Sequence, residues 1–480
     1  MDNERQKLHG LFVIKDNEYY YRYLSDIVDV RKGKHALSYS GSPRNMTQKM
    51  MEKQALPFGQ NNNLTKCLMT VVVSATFTNP EFLTFMTTSR EVEVVNEWTE
   101  YIFNLALNIR RTQHGVLYYM EKLMAPLRYA NSLTYITIDL IARTIVPSEQ
   151  NKDEYDHVRN TLRNTKVFSK RKCINCAELT DDDIFEIYVA ITEREEIQQI
   201  FNRRTRDRKT RRAQGFMSMK RIERFLNKVQ RDPRQNEVLY PMANWDTIRK
   251  LLGTFNKNLD YLTSDGFAKY LLSDENVEIT NYSLRLVEEN MHEPLSCYYI
   301  NSSHNSYLKG AQIYHARYFC SDPSTSADVE IYRQILLSGC RCVEIDCWDG
   351  SDGEPIVTHG PTEITFIEPV LFKDVCMAIA ECAFKTSEYP VCISVENHCC
   401  SMQQTKMARI FLECFGDMLL REPIPGYPLE AGVSLPSPYK LRRKILIKAR
   451  KKERFPAERK GSLVTQTSRG VLQYFFVSYD

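Results

Sequence analysis

The chain has 480 residues, which is too long for a single hydrophobic core and predicts roughly two to four domains. Hydrophobic residues make up 43% of it and charged residues 26%, which excludes collagen-like and wholly disordered chains. The formal net charge of +4 gives no reason to expect a nucleic-acid binder.

The chain carries no sequence signal for a membrane span, for secretion or for a disulfide framework. The longest apolar stretch, 133–146, is broken by Asp139 and Arg143, whereas a bilayer span needs ~18 apolar residues. The charged N-terminus lacks the apolar core of a secretory signal, so we expect a cytoplasmic protein with reduced cysteines. Cys173 and Cys176 form a C-x-x-C pair, but no second pair completes a zinc site.

The first domain, 1–115, reads as β-rich and then helical. Aromatic and β-branched residues between turn signals predict strands at 18–24, 67–76 and 81–87. Apolar residues at intervals of three and four then predict a helix over 91–111. The residues of this apolar stripe are Val95, Trp98, Ile102, Leu105 and Ile109. We expect a small barrel capped by this helix, with the stripe buried.

The second domain, 116–290, carries apolar residues at helical spacing and is predicted to be all-α. The helical segments are 136–145, 184–191, 197–201, 222–229 and 248–255. A dense basic run at 203–212 interrupts them. This run is either a solvated loop or a contact for acidic lipid headgroups or an acidic partner.

The region after Pro294 alternates short apolar strands with amphipathic helices, which predicts a parallel sheet or a (β/α) barrel. The predicted strands are 298–300, 341–346, 356–358, 391–396 and 445–448. The predicted helices are one that Ser326 caps, one over 372–384 and one over 403–415.

Polar side chains gather in and after these strands. Residues i and i+2 of a strand face the same side, so Glu344 and Asp346 present two carboxylates together. Hard oxygen ligands at a strand end suit calcium or magnesium. A structural salt bridge, for example with Arg341, or a solvated pair of acids explains the same spacing.

The other strands add further polar groups at their carboxyl ends. His304 and Asn305 follow the first strand, His359 the third and Glu396 the fourth. Two histidines near three carboxylates favour catalysis. The last strand ends in the cations Lys448 and Arg450, which would hold phosphate groups. The constellation therefore predicts phosphodiester chemistry, and a nuclease satisfies it too.

Five motifs follow one another in this region. They are His304-Asn305-Ser-Tyr-Leu, Gly339-Cys-Arg-Cys-Val-Glu344-Ile-Asp346-Cys-Trp-Asp-Gly, Thr358-His359-Gly, Ser394-Val-Glu396-Asn-His and Lys444-Ile-Leu-Ile-Lys448. Together they resemble the X region of eukaryotic phosphoinositide-specific phospholipase C. Upstream, 230–241 and 273–276 resemble the beta type, particularly its photoreceptor-like branch.

This resemblance implies a multidomain chain. A pleckstrin-homology-like domain would occupy 1–115. It would consist of a β-barrel and a helix, and its opening segment looks clipped. An all-α EF-hand-like domain would occupy 116–290. The X region, the α/β half of a TIM-like barrel, would occupy 291–452 and a divergent tail 453–480. Acidic calcium-loop ligands are missing around 203–215 and 256–266, so the hands should be structural.

The resemblance also implies roles for the candidate residues. His304 would stabilise the pentavalent phosphorus, and His359 would protonate the departing diacylglycerol oxygen. Lys448 would grip a ring phosphate, and Arg450 stands where the family usually has lysine. The calcium ligands would be Asn305, Glu344, Asp346 and Glu396, with Glu344 or Glu396 also accepting the proton of the attacking hydroxyl.

The implied function is calcium-dependent hydrolysis of phosphatidylinositol 4,5-bisphosphate to inositol 1,4,5-trisphosphate and diacylglycerol in G-protein-coupled signal transduction. The implied partners are phosphoinositide lipids at the inner face of the plasma membrane and heterotrimeric G-protein subunits. No motif of the family's Y region is recognisable in 453–480, so we expect only half of the barrel. The alternative hypothesis is a truncated, non-catalytic adaptor that binds the membrane or G-protein subunits.

Overall fold

The structure is a computed structural model that describes most of the chain. The described residues are 10–15, 18–38, 65–74, 79–86, 92–111, 114–128, 133–146, 151–169, 171–206, 215–233, 236–238, 241–256, 259–276, 290–309, 327–360, 367–430 and 432–449. The chain divides into two compact units, one formed by residues 1–25 and 108–288 and the other by residues 26–107 and 289–480. Within the described residues, no helix has the length and apolar character that crossing a membrane requires.

Strands and helices alternate along the described residues. The strands are β1 (Gly10–Lys15), β2 (Glu18–Tyr23), β3 (Ile27–Lys32), β4 (Leu68–Val73), β5 (Glu81–Met86), β6 (Tyr135–Thr137), β7 (Cys173–Asn175), β8 (Phe216–Ser218), β9 (Tyr261–Thr263), β10 (Cys342–Asp349), β11 (Pro355–Val357), β12 (Val370–Leu371), β13 (Val391–Asn397) and β14 (Ile445–Ala449). The α-helices are α1 (Val92–Arg111), α2 (Val116–Arg128), α3 (Ile138–Ile145), α4 (Lys152–Arg163), α5 (Asp181–Thr192), α6 (Glu195–Thr205), α7 (Met219–Phe225), α8 (Trp245–Phe255), α9 (Ser264–Leu272), α10 (Val329–Leu337), α11 (Phe372–Cys382) and α12 (Ser401–Phe415).

The first unit is mainly helical, as the apolar spacing predicts. Its helices enclose two apolar cores, one that includes Met124 and Ile141 and one that includes Phe201 and Phe267. Two short antiparallel pairs, β6 with β7 and β8 with β9, link the helices. The helical spacing did not predict these three-residue strands, because the apolar run over 136–145 passes from a strand into a helix without a break.

The loop between α8 and α9 satisfies its own polar groups. The Asn256 side chain donates to the Tyr261 carbonyl at 2.6 Å and accepts from the Thr263 hydroxyl at 3.1 Å. Thr263 also caps α9 by accepting from the backbone N–H of Gly266. These contacts join the two described ends of the loop, and the expectation of structural rather than calcium-binding hands stays a prediction. Residues 207–212 of the basic run lie outside the described residues.

The first part of the second unit is an antiparallel sheet of β3, β4 and β5, followed by α1. The predicted helix is confirmed, but its buried face differs from the predicted stripe. Val95 and Ile102 are buried, whereas Trp98 is 54% exposed, so its predicted burial is wrong. Thr99 and Ala106 complete the buried face, and the Thr99 hydroxyl is satisfied within the helix by the Val95 carbonyl. Small side chains with satisfied polar groups can therefore replace a large aromatic on a packed face.

A buried charge network joins β3 to residues on and just after α10 and α11. The Arg31 side chain is fully buried and donates to Asp29 at 2.9 Å and to Glu330 at 2.6 Å. Lys385 lies 3.0 Å from Asp29 and 3.5 Å from Glu381. Burial alone would raise the pKa of Asp29, but the charges of Lys385 and Arg31 outweigh it and lower that pKa. The buried Asp29 is therefore charged and paired.

The largest sheet has the strand order β12-β11-β10-β13-β14. Strands β10, β13 and β14 are parallel, while β11 is antiparallel to both of its neighbours. Helix α10 packs on α11, and α11 packs on α12. Val343, Ile345 and Ile393 are completely buried in the core of this region. Parallel strands with helices between them agree with the predicted α/β half barrel.

Two predicted strands of this region differ in the structure. Residues 298–300 form no strand, and only Ser302 makes a single parallel bridge to Cys342. The reason is exposure, because Tyr299 is fully exposed and Ile300 is 39% exposed, so no packed face holds them in a sheet. The predicted strand at 356–358 forms as β11, but it returns antiparallel beside β10 as the second arm of a hairpin.

Candidate active site

The candidate residues in β10, β13 and β14 share one face of these parallel strands. Asp346 in β10 lies opposite Glu396 in β13, and Glu344 lies opposite Ser394. Ser394 in turn lies opposite Lys448 in β14. Residues in register on parallel strands point to the same face, so these side chains line one surface while the alternate residues fill the core. The predicted sharing of one side by Glu344 and Asp346 agrees with this register.

Glu344 is held by the segment that carries His304 and Asn305. Its Oε2 accepts the backbone N–H of Asn305 at 2.7 Å and lies 3.7 Å from Nε2 of His304. Its own backbone N–H donates to the Ser306 hydroxyl at 3.0 Å. Asn305 has φ of 48°, a left-handed conformation that asparagine tolerates better than most residues. This turn brings the exposed His304 beside the buried carboxylate of Glu344.

Asp346 and His359 meet at the phenol of Tyr307. The Tyr307 hydroxyl donates to Oδ2 of Asp346 at 2.7 Å and lies 2.8 Å from Nδ1 of His359. The same Oδ2 is 3.4 Å from Nδ1. Because a phenol has one proton, which goes to Asp346, Nδ1 of His359 must donate to the phenol oxygen. The ring then has its Nε2 available for proton transfer.

The electrostatics of Asp346 favour a cation. Burial raises the pKa of this carboxyl, the charges of Glu344 and Glu396 raise it further, and the hydrogen bond from Tyr307 offsets only part of this. Its second oxygen, Oδ1, is buried with no hydrogen-bond partner in the structure. An unpartnered buried oxygen among mutually repelling carboxylates fits a hard cation, which would satisfy the oxygen and offset the repulsion.

Arg341 does not pair with the two strand acids, and neither acid is solvated. The Arg341 guanidinium donates to the backbone carbonyls of Cys340, Ala383 and Tyr389. It therefore forms no salt bridge with the strand acids. Glu344 is 8% exposed and Asp346 is 3% exposed, so neither is a solvated surface acid.

Most of the predicted site residues are brought together. His304, Asn305 and Glu344 form one contact group, and Asp346 with His359 forms another through Tyr307. The register places Glu396 beside the second group and Lys448 one strand away, and both are exposed. Arg450 and the predicted tail lie outside the described residues.

The acids of the site are not a closed cluster of ligand atoms. Within the described residues, one group of three or more His, Cys, Asp or Glu side chains has ligand atoms within 4.8 Å of one another, and it is Asp29, Glu381 and Cys382. The charges of Arg31 and Lys385 already balance that group. Glu344, Asp346 and Glu396 are more widely spread, so they would have to draw closer around a cation.

Sequence reasoning missed the role of Tyr307. This residue is completely buried and connects two predicted site residues, and burial raises the pKa of its phenol above the usual range. The available signal was its place in the motif His304-Asn305-Ser-Tyr, three residues after the histidine. His359 also arrives by a route other than the predicted one, since the β10–β11 hairpin returns it to Asp346, whose carbonyl accepts the N–H of Thr358.

Three known families match successive parts of the chain. Residues 10–113 match the family described as PH domain, and residues 187–281 match phosphoinositide-specific phospholipase C, efhand-like. Residues 291–451 match phosphatidylinositol-specific phospholipase C, X domain, which contains every candidate residue of the site.

Curated relatives and solved structures agree with these matches. A Drosophila melanogaster protein named 1-phosphatidylinositol 4,5-bisphosphate phosphodiesterase classes I and II is 36% identical over 88% of this chain and 30% of its own length. The mouse protein named 1-phosphatidylinositol 4,5-bisphosphate phosphodiesterase beta-1 is 36% identical over 91% of this chain and 34% of its own length. The human beta-4 enzyme is 36% identical over 74% of this chain and 29% of its own length. The crystal structure of L. pealei PLC21 superposes with a TM-score of 0.63 at 33% identity, covering 94% of this chain and 55% of that chain.

The fold and the site define a multidomain chain that carries a PH domain, an EF-hand-like region and a phospholipase C X domain. The chain belongs to the phosphoinositide-specific phospholipase C family, with relatives of the beta type. It spans about a third of the length of the curated relatives it matches. The human beta-4 and mouse beta-1 relatives are both 36% identical to it, and the photoreceptor-like branch stays a prediction.

Proposed function

We propose that the chain belongs to a calcium-dependent phospholipase C that cleaves phosphatidylinositol 4,5-bisphosphate into inositol 1,4,5-trisphosphate and diacylglycerol. The observation that carries the proposal is the hydrogen-bonded series Asp346, Tyr307 and His359 beside the pair His304 and Glu344. A general acid, a second imidazole and paired acids are what phosphodiester cleavage requires. The names of the curated relatives support this substrate.

His359 would act as the general acid toward the diacylglycerol oxygen. Tyr307 keeps Nδ1 as a donor, so the ring can act as a general acid only in its imidazolium form, which carries the transferable proton on Nε2. Asp346 holds the phenol in place and so orients the ring indirectly. The imidazole is 40% exposed, which leaves it accessible to a substrate while its other edge stays anchored.

His304 would stabilise the negative charge that develops on the phosphate oxygens. It lies 3.7 Å from Oε2 of Glu344, so this carboxylate can hold the imidazole in position beside the acid pair. Its side chain is 82% exposed, so it can contact a substrate at the membrane surface. Glu344 or Glu396 would accept the proton of the attacking inositol hydroxyl.

Calcium would be held by Asn305, Glu344, Asp346 and Glu396. The unpartnered Oδ1 of Asp346 and the raised pKa of this carboxyl support a cation at this position. When bound, the ion supplies Lewis acidity that lowers the pKa of a coordinated hydroxyl. The described chain contributes hard oxygen donors, which calcium prefers.

The headgroup phosphates would contact the cations after the last strand. Lys448 is exposed on the site face of β14, at the same register position as Ser394 in β13 and Glu344 in β10. Its ammonium can bind a ring phosphate as a point charge, and Arg450 would add a forked donor. We expect Lys448→Ala to reduce cleavage of the bisphosphate more than cleavage of unphosphorylated phosphatidylinositol. Lys373→Ala, at an exposed position on α11, should change neither the rate of bisphosphate cleavage nor its ratio to the cleavage of phosphatidylinositol.

The same proposal covers domains, location and partners. We propose a pleckstrin-homology-like domain over 1–115, an EF-hand-like domain over 116–290, an X region over 291–452 and a tail over 453–480. The PH match supports peripheral binding to phosphoinositide membranes at the inner face of the plasma membrane. The beta-type relatives support heterotrimeric G-protein subunits as partners.

The test is release of inositol phosphates from liposomes that contain phosphatidylinositol 4,5-bisphosphate. The chain would be assayed alone and with a separately supplied Y half of a beta-type relative, in buffered calcium and in chelator. We expect calcium-dependent release that His304→Ala and His359→Ala each reduce by about 100-fold or more, the lower range for loss of a general acid or base.

His157→Ala is the matched control, because His157 is an exposed histidine on α4 in the other unit. This variant should keep full activity. Release that is unchanged in His304→Ala and His359→Ala would contradict the catalytic assignment. Binding to the liposomes with no release under any of these conditions would favour the adaptor hypothesis instead.

A further inference from the structure

Two cysteines face each other on the sheet surface that carries the candidate site. Cys342 in β10 and Cys392 in β13 share one register position, two residues before the position that Glu344 shares with Ser394. Within the described strands, no other paired position brings two cysteines together. Both thiols are free in the structure.

The backbone geometry of this pair allows a covalent link. Neighbouring strands lie about 4.8 Å apart, and disulfides join Cα atoms that are about 4.4–6.8 Å apart. Residues in register on adjacent strands satisfy this Cα requirement.

The pair is more accessible than the cysteines of the core. Cys342 and Cys392 are both half-buried, whereas Cys347, Cys376 and Cys382 are completely buried. The reason is the alternation of the strands, which turns Cys342 and Cys392 toward the site face and their neighbours Val343 and Ile393 into the core. Small solutes that enter the site can therefore reach these thiols, and accessible thiols are the ones that react.

We propose that Cys342 and Cys392 form a redox-reactive dithiol that hydrogen peroxide converts to a disulfide across β10 and β13. The sulfur of one cysteine attacks a peroxide oxygen, the O–O bond breaks, and the products are a sulfenic acid and water. The sulfur of the other cysteine then attacks the sulfenic sulfur, and the S–O bond breaks. The second water leaves with the proton of that thiol. Two thiols and one peroxide thus give one disulfide and two waters.

The test maps the disulfides of the full chain after treatment with hydrogen peroxide. Remaining thiols would be alkylated, the chain digested and the peptides weighed by mass spectrometry. We expect a peptide with Cys342 joined to a peptide with Cys392, lighter by two hydrogen atoms than their sum, and lost after treatment with dithiothreitol. This readout requires no activity, so it is independent of the proposed function.

Two substitutions make the result specific. Cys392→Ser should abolish the linked peptide and leave Cys342 as a sulfenic acid that dimedone traps. Cys400→Ser, which removes an exposed cysteine outside the pair, should leave the linked peptide unchanged. Cys392→Ala serves if the serine variant does not fold, as judged by thermal unfolding. The proposal is overturned if Cys342 and Cys392 are both recovered alkylated, or if Cys342 is joined instead to Cys340.

Discussion

The hydroxyl of Tyr307 lies 2.8 Å from Nδ1 of His359, so a completely buried phenol anchors a partly exposed imidazole. The phenol is anchored in turn by its hydrogen bond to Asp346. Tyr307 is therefore a positioning residue, which acts on the substrate through His359. Removing its hydroxyl should disturb the histidine without removing any group that touches the substrate.

We expect Tyr307→Phe to lower inositol phosphate release roughly 10–100-fold, the range typical of lost orienting contacts. The pH profile of the residual activity should shift, because Nδ1 of His359 loses its partner. A merely structural role would lower activity without moving the profile. Tyr270→Phe is the matched control, since Tyr270 is a buried tyrosine of the other unit whose hydroxyl has no hydrogen-bond partner in the structure.

Asp346 should destabilise the fold when no cation is bound. Burial and the nearby carboxylates raise its pKa. When the pKa of an acid is raised in the folded state, the free energy of unfolding decreases as the pH rises through that pKa. At pH 7 in excess chelator, Asp346→Asn should therefore raise the unfolding temperature. Calcium should raise the unfolding temperature of the unsubstituted chain but not that of the variant.

Differential scanning fluorimetry measures both effects of Asp346→Asn. Asp417→Asn, at an exposed position, is the control and should leave both unchanged. If calcium stabilised the Asp346→Asn variant as much as the unsubstituted chain, Asp346 would not be a ligand.

Substitutions of Asn305 can distinguish the role of its backbone from the role of its side-chain amide. Its φ of 48° favours glycine, and its N–H rather than its side chain binds Glu344. Asn305→Gly should keep the unfolding temperature in chelator, whereas Asn305→Ala should lose about 1 kcal/mol of stability to backbone strain. Both variants should bind calcium more weakly in a titration. Normal calcium affinity in Asn305→Gly would remove this amide from the set of ligands.

Arg31 should be essential to the stability of the second unit. Its removal leaves Asp29 and Glu330 buried without the guanidinium that both contact, and breaking a buried ion pair costs about 3–5 kcal/mol. Chemical denaturation of Arg31→Ala measures this loss. Arg249→Ala, which breaks an exposed pair with Asp246, should cost less than about 1 kcal/mol.

The same network predicts acid sensitivity. The pKa of Asp29 is lowered in the folded state, so the stability from its charge is present at neutral pH and is lost as the pH falls through that lowered value. The Arg31→Ala variant should therefore lose less stability on acidification than the unsubstituted chain. An equal loss in both would show that acid unfolding begins elsewhere.

Side-chain alternation predicted the acid pair correctly because it depends only on local geometry. Glu344 and Asp346 share a face in any regular strand, and the buried Val343 and Ile345 on the other face confirm that pattern. The partners of those acids could not be predicted in the same way. Tyr307 is 39 residues from Asp346 in the chain, and no periodicity connects them.

The errors have a common physical origin in tertiary packing. An apolar run predicts a strand only if another surface covers it, and nothing covers Tyr299. Trp98 has the spacing of a buried residue, but Thr99 and Ala106 fit the packed face instead. The direction of β11 depends on a tight turn after β10, and strand composition is the same for either direction.

Strand β10 carries catalytic candidates on one side and interior packing on the other, within eight residues. A shift of the strand register by one residue would exchange the two faces completely. The carboxylates would then lie in the apolar core, and the aliphatic side chains would face the solvent. Substitutions in this strand are thus constrained by the chemistry of the site on one face and by core packing on the other. A substitution that disrupts the core face of β10 also displaces the site residues, so activity is lost with stability. A substitution on the site face can abolish activity and leave the protein folded.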